Sequence, residues 1–344
     1  MKLNTGTITK RLNPHKILII RTDRIGDVIL TLPVIDTLKL NYPDAKIDFL
    51  VNRKVFELVQ DYPNINKVHA IEKDSITHIK KICKENDYDL AIAVRPLFVI
   101  ALALFLAGVK YRLSTGYRWY SFLFNIKHYE HRKYSVKHEL EYNLNLLDEL
   151  GCKRIENVQP ALNVNPEETE KVVAKLESIG VDIKKKFIII HPGSLGSAKR
   201  WKSANFTELI NMLINDDSFK LNIILTGTKD DELTLNAVEG GLKNKEIVYE
   251  ITDLSLKEFA ALCKMSVLFT SNSTGPIHIA AAVGAYCIGF YSPVTVESAA
   301  RWGPYTERKK IFTPETTDYT ANGGVMDKIK PVEVYEFIMN YISK

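Results

Sequence analysis

Short aliphatic runs recur along the chain, separated by longer stretches in which apolar side chains return every three or four positions. In the first half the runs are 16–21 (KILIIR), 46–51 (KIDFLV), 67–71 and 89–94 (DLAIAV). In the second half they are 186–191 (KFIIIH), 221–226 (LNIILT), 246–250, 266–270 (SVLFT) and 286–290 (YCIGF). Near-continuous aliphatic runs predict strands buried on both faces, as in parallel sheets. The intervening segments 29–41, 137–150, 166–179, 203–215, 230–243, 255–264 and 330–343 carry helical spacing, and Gly151 is placed to cap the second of them. Strand and helix alternate in both halves, which predicts an α/β fold of two Rossmann-like, doubly wound domains. Their ligand would lie at the carboxyl ends of both sheets, in the inter-domain cleft. The polar segment 151–166 carries two prolines and reads as the linker, giving domains 1–160 and 161–344. The last helix could pack back on the first domain.

Composition narrows the picture modestly. At 344 residues, with 46% hydrophobic and 25% charged residues, the chain is globular and too long for one core. The apolar run 97–109 (LFVIALALFLAGV) falls well short of the ~20 residues a membrane span needs and is expected as a buried helix. A net charge of +5 suits an anionic small molecule or a lipid headgroup and is low for a nucleic-acid binder. Cys83, Cys152, Cys263 and Cys287 form no CxxC pair, so reduced core cysteines are expected, with no disulfide and no metal site. The amino-terminal residues lack the apolar region of a secretory signal, and a cytoplasmic location is expected.

Three segments carry candidate chemistry. After the first strand comes RTDRIGDVILTLP, where Gly26 permits a tight turn and Asp27 stands at a helix start. Such an Asp reads either as a helix cap or as a general base. The strand 186–191 empties into HPGSLGSAKRWK. There the amides around Gly193 and Gly196, the hydroxyls of Ser194 and Ser197 and the charge of Lys199 could bind phosphate. Trp201 is expected to pack this loop onto its domain. The third segment, Ser271-Asn272-Ser273-Thr274-Gly275-Pro276-Ile277-His278, opens a helix whose free N–H groups suit a diphosphate. His278 reads as a structural histidine or as a ligand contact. Asp231 or Glu232, after the strand 221–226, could accept from ribose hydroxyls or simply complement a helix dipole. Asp87-Tyr88-Asp89 looks like a metal-binding DxD, but it stands at a strand's amino end, away from the expected cleft.

Taken together and in order, RTDRIGDVILTLP, HPGSLGSAKRWKSANF and SNSTGPIHIAAAVGA resemble the bacterial heptosyltransferases (glycosyltransferase family 9, lipopolysaccharide core synthesis) over nearly the whole chain. The resemblance implies the GT-B architecture and an inverting, metal-independent transfer, with no cofactor beyond a nucleotide-sugar donor, ADP-heptose. It implies a lipopolysaccharide core-type glycolipid as acceptor. Carried over, Asp27 is the base and Lys199 contacts the donor diphosphate. Thr274 and Gly275 touch the same phosphates, and Pro276 and His278 belong to the same motif. Ser273 departs from the family, where many members have Asp. Two other readings stay open: a relative using another nucleotide-sugar for a different surface glycan, and a non-catalytic nucleotide- or glycan-binding protein. Asp27 and Lys199 together argue against the latter.

On the acceptor side, Arg21, Thr22, Arg24 and Arg95 are expected to meet an anionic glycolipid. Segment 110–138 mixes cations with aromatics. It is expected to rest peripherally on the inner face of the cytoplasmic membrane or to form a solvated basic surface.

Overall fold

The computed structural model describes residues 12–194, 199–315 and 324–344. In the amino-terminal unit six strands form a parallel sheet: β1 (Lys16–Arg21), β2 (Lys46–Asn52), β3 (Lys67–Ile71), β4 (Leu90–Ala93), β5 (Tyr111–Thr115) and β6 (Ile126–His128). Their order is β3-β2-β1-β4-β5-β6, with Ile17 paired to Ile47 on one side and Leu90 on the other. Ile17 to Ile20 are fully buried, as an aliphatic run in a sheet covered on both faces requires. Helices α1 (Ile25–Ile29), α2 (Leu32–Asn41), α3 (Phe56–Val59), α4 (Ile76–Asn86) and α5 (Phe98–Ala107) connect the strands. α6 (Glu139–Asn145) follows the sheet and leads into a 3₁₀ turn that Gly151 ends in a left-handed conformation.

The second unit repeats the plan. β7 (Phe187–His191), β8 (Asn222–Thr226), β9 (Val248–Ile251), β10 (Phe269–Asn272), β11 (Cys287–Phe290) and β12 (Lys309–Phe312) lie in the order β12-β11-β10-β7-β8-β9. Its helices are α7 (Pro166–Ser178), α8 (Ser203–Ile214), α9 (Glu232–Glu239), α10 (Leu256–Met265), α11 (Gly275–Ala282), α12 (Ala299–Trp302) and α13 (Pro331–Ile342). Both sheets therefore have the doubly wound order of a Rossmann fold. The winding reverses between β1 and β4 in one unit and between β7 and β10 in the other. Loops following strands at such a reversal splay apart and leave a crevice for ligands.

Two differences from the sequence reading have local causes. The helix expected over 29–41 is two helices, because Pro33 lacks an N–H and sits in the first turn of α2, after Leu30 has closed α1. β5, β6 and β12 were not anticipated; they are short, and their polar residues (YRLST, IKH, KKIF) hide the strand pattern. The terminal helix α13 packs on α8 of its own unit, with Val334 and Ile338 in that unit's core. The chain divides into one unit up to His131 with Leu140–Val158, and another of Arg132–Glu139 with Gln159–Lys344. The segment 132–139 goes with the second because Arg301 of α12 pairs with Glu139 at 3.2 Å and donates to Ser135. Cys83, Cys263 and Cys287 are buried and Cys152 is half-buried. Among the described residues no helix is long and apolar enough to cross a membrane.

Candidate active site

In the first unit the switch-point loops gather a network of alternating charges. Arg21, the last residue of β1, is buried; its Nε donates to Asp23 Oδ1 at 2.8 Å and its guanidinium pairs with Asp27. Asp27 lies in the first turn of α1, while the cap position belongs to Arg24, in extended conformation. Asp27 is therefore not the N-cap that a lone Asp at a helix start suggests. Its carboxylate is 13% exposed, retaining contact with solvent. Asn143 on α6 supports this corner, donating to the carbonyl of Leu30 at 3.1 Å.

Arg95, just beyond β4, donates to Asp74 Oδ2 at 3.0 Å and to Thr22 Oγ1 at 3.3 Å, while Thr22 donates to Asp74 Oδ1 at 2.6 Å. Arg21, Thr22 and Arg95 are thus brought together, each engaged with a carboxylate of its own unit. Arg24 alone of the four is exposed. The sequence reading missed Asp74, which follows β3 in a stretch with no motif to mark it.

The second unit places its loops on the same plan. After β7, Gly193 runs so close to α9 that a Cβ would collide with the Asp231 carboxylate. Asp231 is buried and closes a capping box with Thr228, donating nothing outward: it accepts from the Thr228 N–H at 2.9 Å and from its hydroxyl at 2.8 Å. Asp231 is thereby a structural residue, whereas Glu232 is exposed at the start of α9. The Ser194 hydroxyl is buried and has no hydrogen-bond partner among the described residues. Gly196 and Ser197 lie outside the described residues. Lys199 is half-buried, and its backbone N–H donates to Glu297 at 3.3 Å.

Trp201 is fully buried, stacked on Phe290 with ring centroids 4.2 Å apart, and its indole donates to the carbonyl of Ile329 at 2.9 Å. It packs the loop onto its domain. Asn272, which the sequence reading did not single out, ties the same loop to β10. Its Oδ1 accepts from the Trp201 N–H at 2.8 Å, and its Nδ2 donates to the carbonyls of Pro192 at 3.1 Å and Trp201 at 3.3 Å.

Helix α11 begins at Gly275 with Pro276 in its first turn, and among the described residues Thr274 at its cap makes no side-chain capping hydrogen bond. The first N–H groups of the helix are left for an outside acceptor, which its dipole prefers to be anionic. Ser273 contacts Tyr291, whose hydroxyl donates to the carbonyl of Trp302 at 3.0 Å. One turn into α11, His278 is buried with Nδ1 unpartnered among the described residues, and burial lowers its pKa to about 3. His191, at the end of β7, is lowered to about 4 by burial, while the Asp231 charge opposes the shift. Both imidazoles are neutral near pH 7.

Asp89 and Asp87 are occupied elsewhere. Asp89 accepts from the backbone of His15 and Lys16 at the amino end of β1, and Asp87 ends α4 in a left-handed conformation. Among the described residues no group of acidic, His or Cys side chains is arranged to hold a metal.

The model of glycosyltransferase family 9 (heptosyltransferase) matches residues 76–328. A Haemophilus influenzae protein, whose description goes no further than glycosyltransferase, is 28% identical over 86% of this chain and 88% of its own length. Lipopolysaccharide heptosyltransferase 3 of Escherichia coli is 27% identical over 77% of this chain and 80% of its own. The structure of E. coli ADP-heptose lipopolysaccharide heptosyltransferase II superimposes with a TM-score of 0.80 at 21% identity, covering 95% of this chain and 98% of that one. That likeness is of fold, the GT-B pair of doubly wound units.

Proposed function

Given that the chain belongs to glycosyltransferase family 9 and is a glycosyltransferase, we propose that it moves a heptose from ADP-heptose onto a lipopolysaccharide core-type glycolipid, with inversion. Asp27 takes the proton of the acceptor hydroxyl as that oxygen bonds to the anomeric carbon. The bond from that carbon to the diphosphate breaks, and its electron pair leaves with ADP. Arg21 holds the Asp27 carboxylate in place and balances its charge, which makes it a positioning residue rather than an acceptor contact. Lys199 and the first N–H groups of α11 take up the charge developing on the leaving diphosphate. Glu232 reads the ribose, and Thr22, Arg24 and Arg95 line the acceptor side. The acceptor is met at the cytoplasmic membrane face.

The observation that carries the reading is the uncapped start of α11 beside the loop that holds the buried, unpartnered Ser194 hydroxyl. A pyrophosphate supplies acceptors to both. Ser273 supports a second reading, a different nucleotide-sugar, because a neutral serine bonded to Tyr291 stands where the resemblance implies a carboxylate. Incubation with ADP-heptose, with and without a lipopolysaccharide core acceptor, decides between them. Acceptor-dependent release of ADP is expected. Turnover only with another nucleotide-sugar moves the assignment to the second reading, and donor binding with no turnover on any acceptor contradicts both.

A further inference from the structure

The outer face of α5 and the connection between β5 and β6 is apolar and exposed, in a stretch of chain whose charged side chains are all positive. α5 buries Ile100, Ala101, Ala103 and Leu104 against its sheet, yet it is apolar on its other side as well. Phe105 and Leu106 are about half exposed there, and across the β5–β6 connection Trp119 is 74% and Phe122 68% exposed. Two of the rings are held in place. Trp119 stacks on Phe98 with centroids 5.1 Å apart, and the Arg112 guanidinium lies over the Phe105 ring at 5.6 Å while donating to the carbonyl of Leu123 at 2.8 Å. From Pro96 to Tyr129 the chain carries four cations, Lys110, Arg112, Arg118 and Lys127, and no carboxylate.

A patch of large fixed aromatics among cations calls for a partner that is apolar below and negatively charged above. A second copy of the same face would set cation against cation, which a two-fold contact cannot avoid. We propose that this face docks on an anionic phospholipid leaflet, with Trp119 and Phe122 entering the headgroup layer and Lys110 and Arg118 meeting lipid phosphates. The α5 helix has ten residues and lies on the bilayer without crossing it. The inference deepens the proposed function by assigning the surface that meets the membrane. It uses the glycolipid reading only to explain why such a surface exists.

The test is therefore made without glycolipid or nucleotide-sugar, so that its outcome is independent of the catalytic reading. The full-length protein is sedimented with vesicles of phosphatidylglycerol and phosphatidylethanolamine, and separately with phosphatidylcholine vesicles, at low and high salt. Binding to the anionic vesicles at least about tenfold tighter, weakened by salt, is expected from roughly a fivefold gain per basic side chain at such a surface. The double variant Trp119→Ser/Phe122→Ser and the charge reversal Lys110→Glu/Arg118→Glu should each cost about tenfold or more, with unchanged thermal midpoints to show intact folding. Trp119 fluorescence should shift to the blue on anionic vesicles, a change absent in Trp119→Phe. Equal or absent binding to the two vesicle types overturns the proposal. So does binding that neither double variant weakens, or a dimer in velocity sedimentation that Trp119→Ser/Phe122→Ser dissolves while vesicles remain unbound.

Discussion

Two imidazoles illustrate how single side chains set the conditions under which this fold survives. His191 and His278 are buried and neutral, with pKa values lowered by desolvation from 6.5 to about 4 and about 3. The unfolded chain takes up protons on both near pH 6.5 and the native state resists. Stability from these groups is therefore complete above that pH and lost as pH falls, by up to about 1.4 kcal/mol per pH unit for each histidine. The thermal midpoint should drop steadily between about pH 6.5 and 5, before most carboxylates titrate. His191→Gln or His278→Gln should flatten that slope even if the midpoint is lower throughout. A midpoint insensitive to pH over this window would mean that neither imidazole is as enclosed as the structure has it.

At the scale of elements, the loop after β7, proposed to bind the diphosphate, is held by what lies outside it. Asn272 on β10 satisfies the N–H of Trp201 and reaches two carbonyls of the loop, while Gly193 admits the Asp231 carboxylate beneath. Asn272→Ala strands a buried N–H and two carbonyls, each costing about 1–3 kcal/mol if no water replaces the amide. A loss of roughly 3 kcal/mol in urea unfolding, accompanied by weaker donor binding, is expected. Unchanged donor affinity would mean that the loop's shape does not depend on this anchor.

The aliphatic strands and the amphipathic helices were legible in the sequence because burial on both faces leaves little choice of residue. β5, β6 and β12 were not, since short strands with polar ends look like loops. Asp27 and the α11 segment were legible through their motifs. Asp74, Asn143 and Glu297 were not, because each reaches its partner only through tertiary folding, across gaps no local pattern records. For the same reason Arg21 and Arg95 read in the sequence as contacts for an anionic acceptor and emerge paired with carboxylates in the fold.

For the molecule as a whole, one topology serves twice. Each unit presents the loops of its own winding reversal, one bearing a carboxylate held by an arginine, the other an uncapped helix start with a buried hydroxyl nearby. The proposed division of labour is that the first unit activates the acceptor and the second holds the donor. If that is right, chemistry and donor binding must separate cleanly on mutation. The most direct measurement is Asp27→Asn, compared with the unaltered protein by calorimetric titration of ADP-heptose and by acceptor-dependent release of ADP. Donor affinity should stay within about twofold while turnover falls by about 10²–10⁴-fold, the range for losing a general base. Near-normal turnover, or a loss of donor binding that accounts for the loss of rate, would contradict the account.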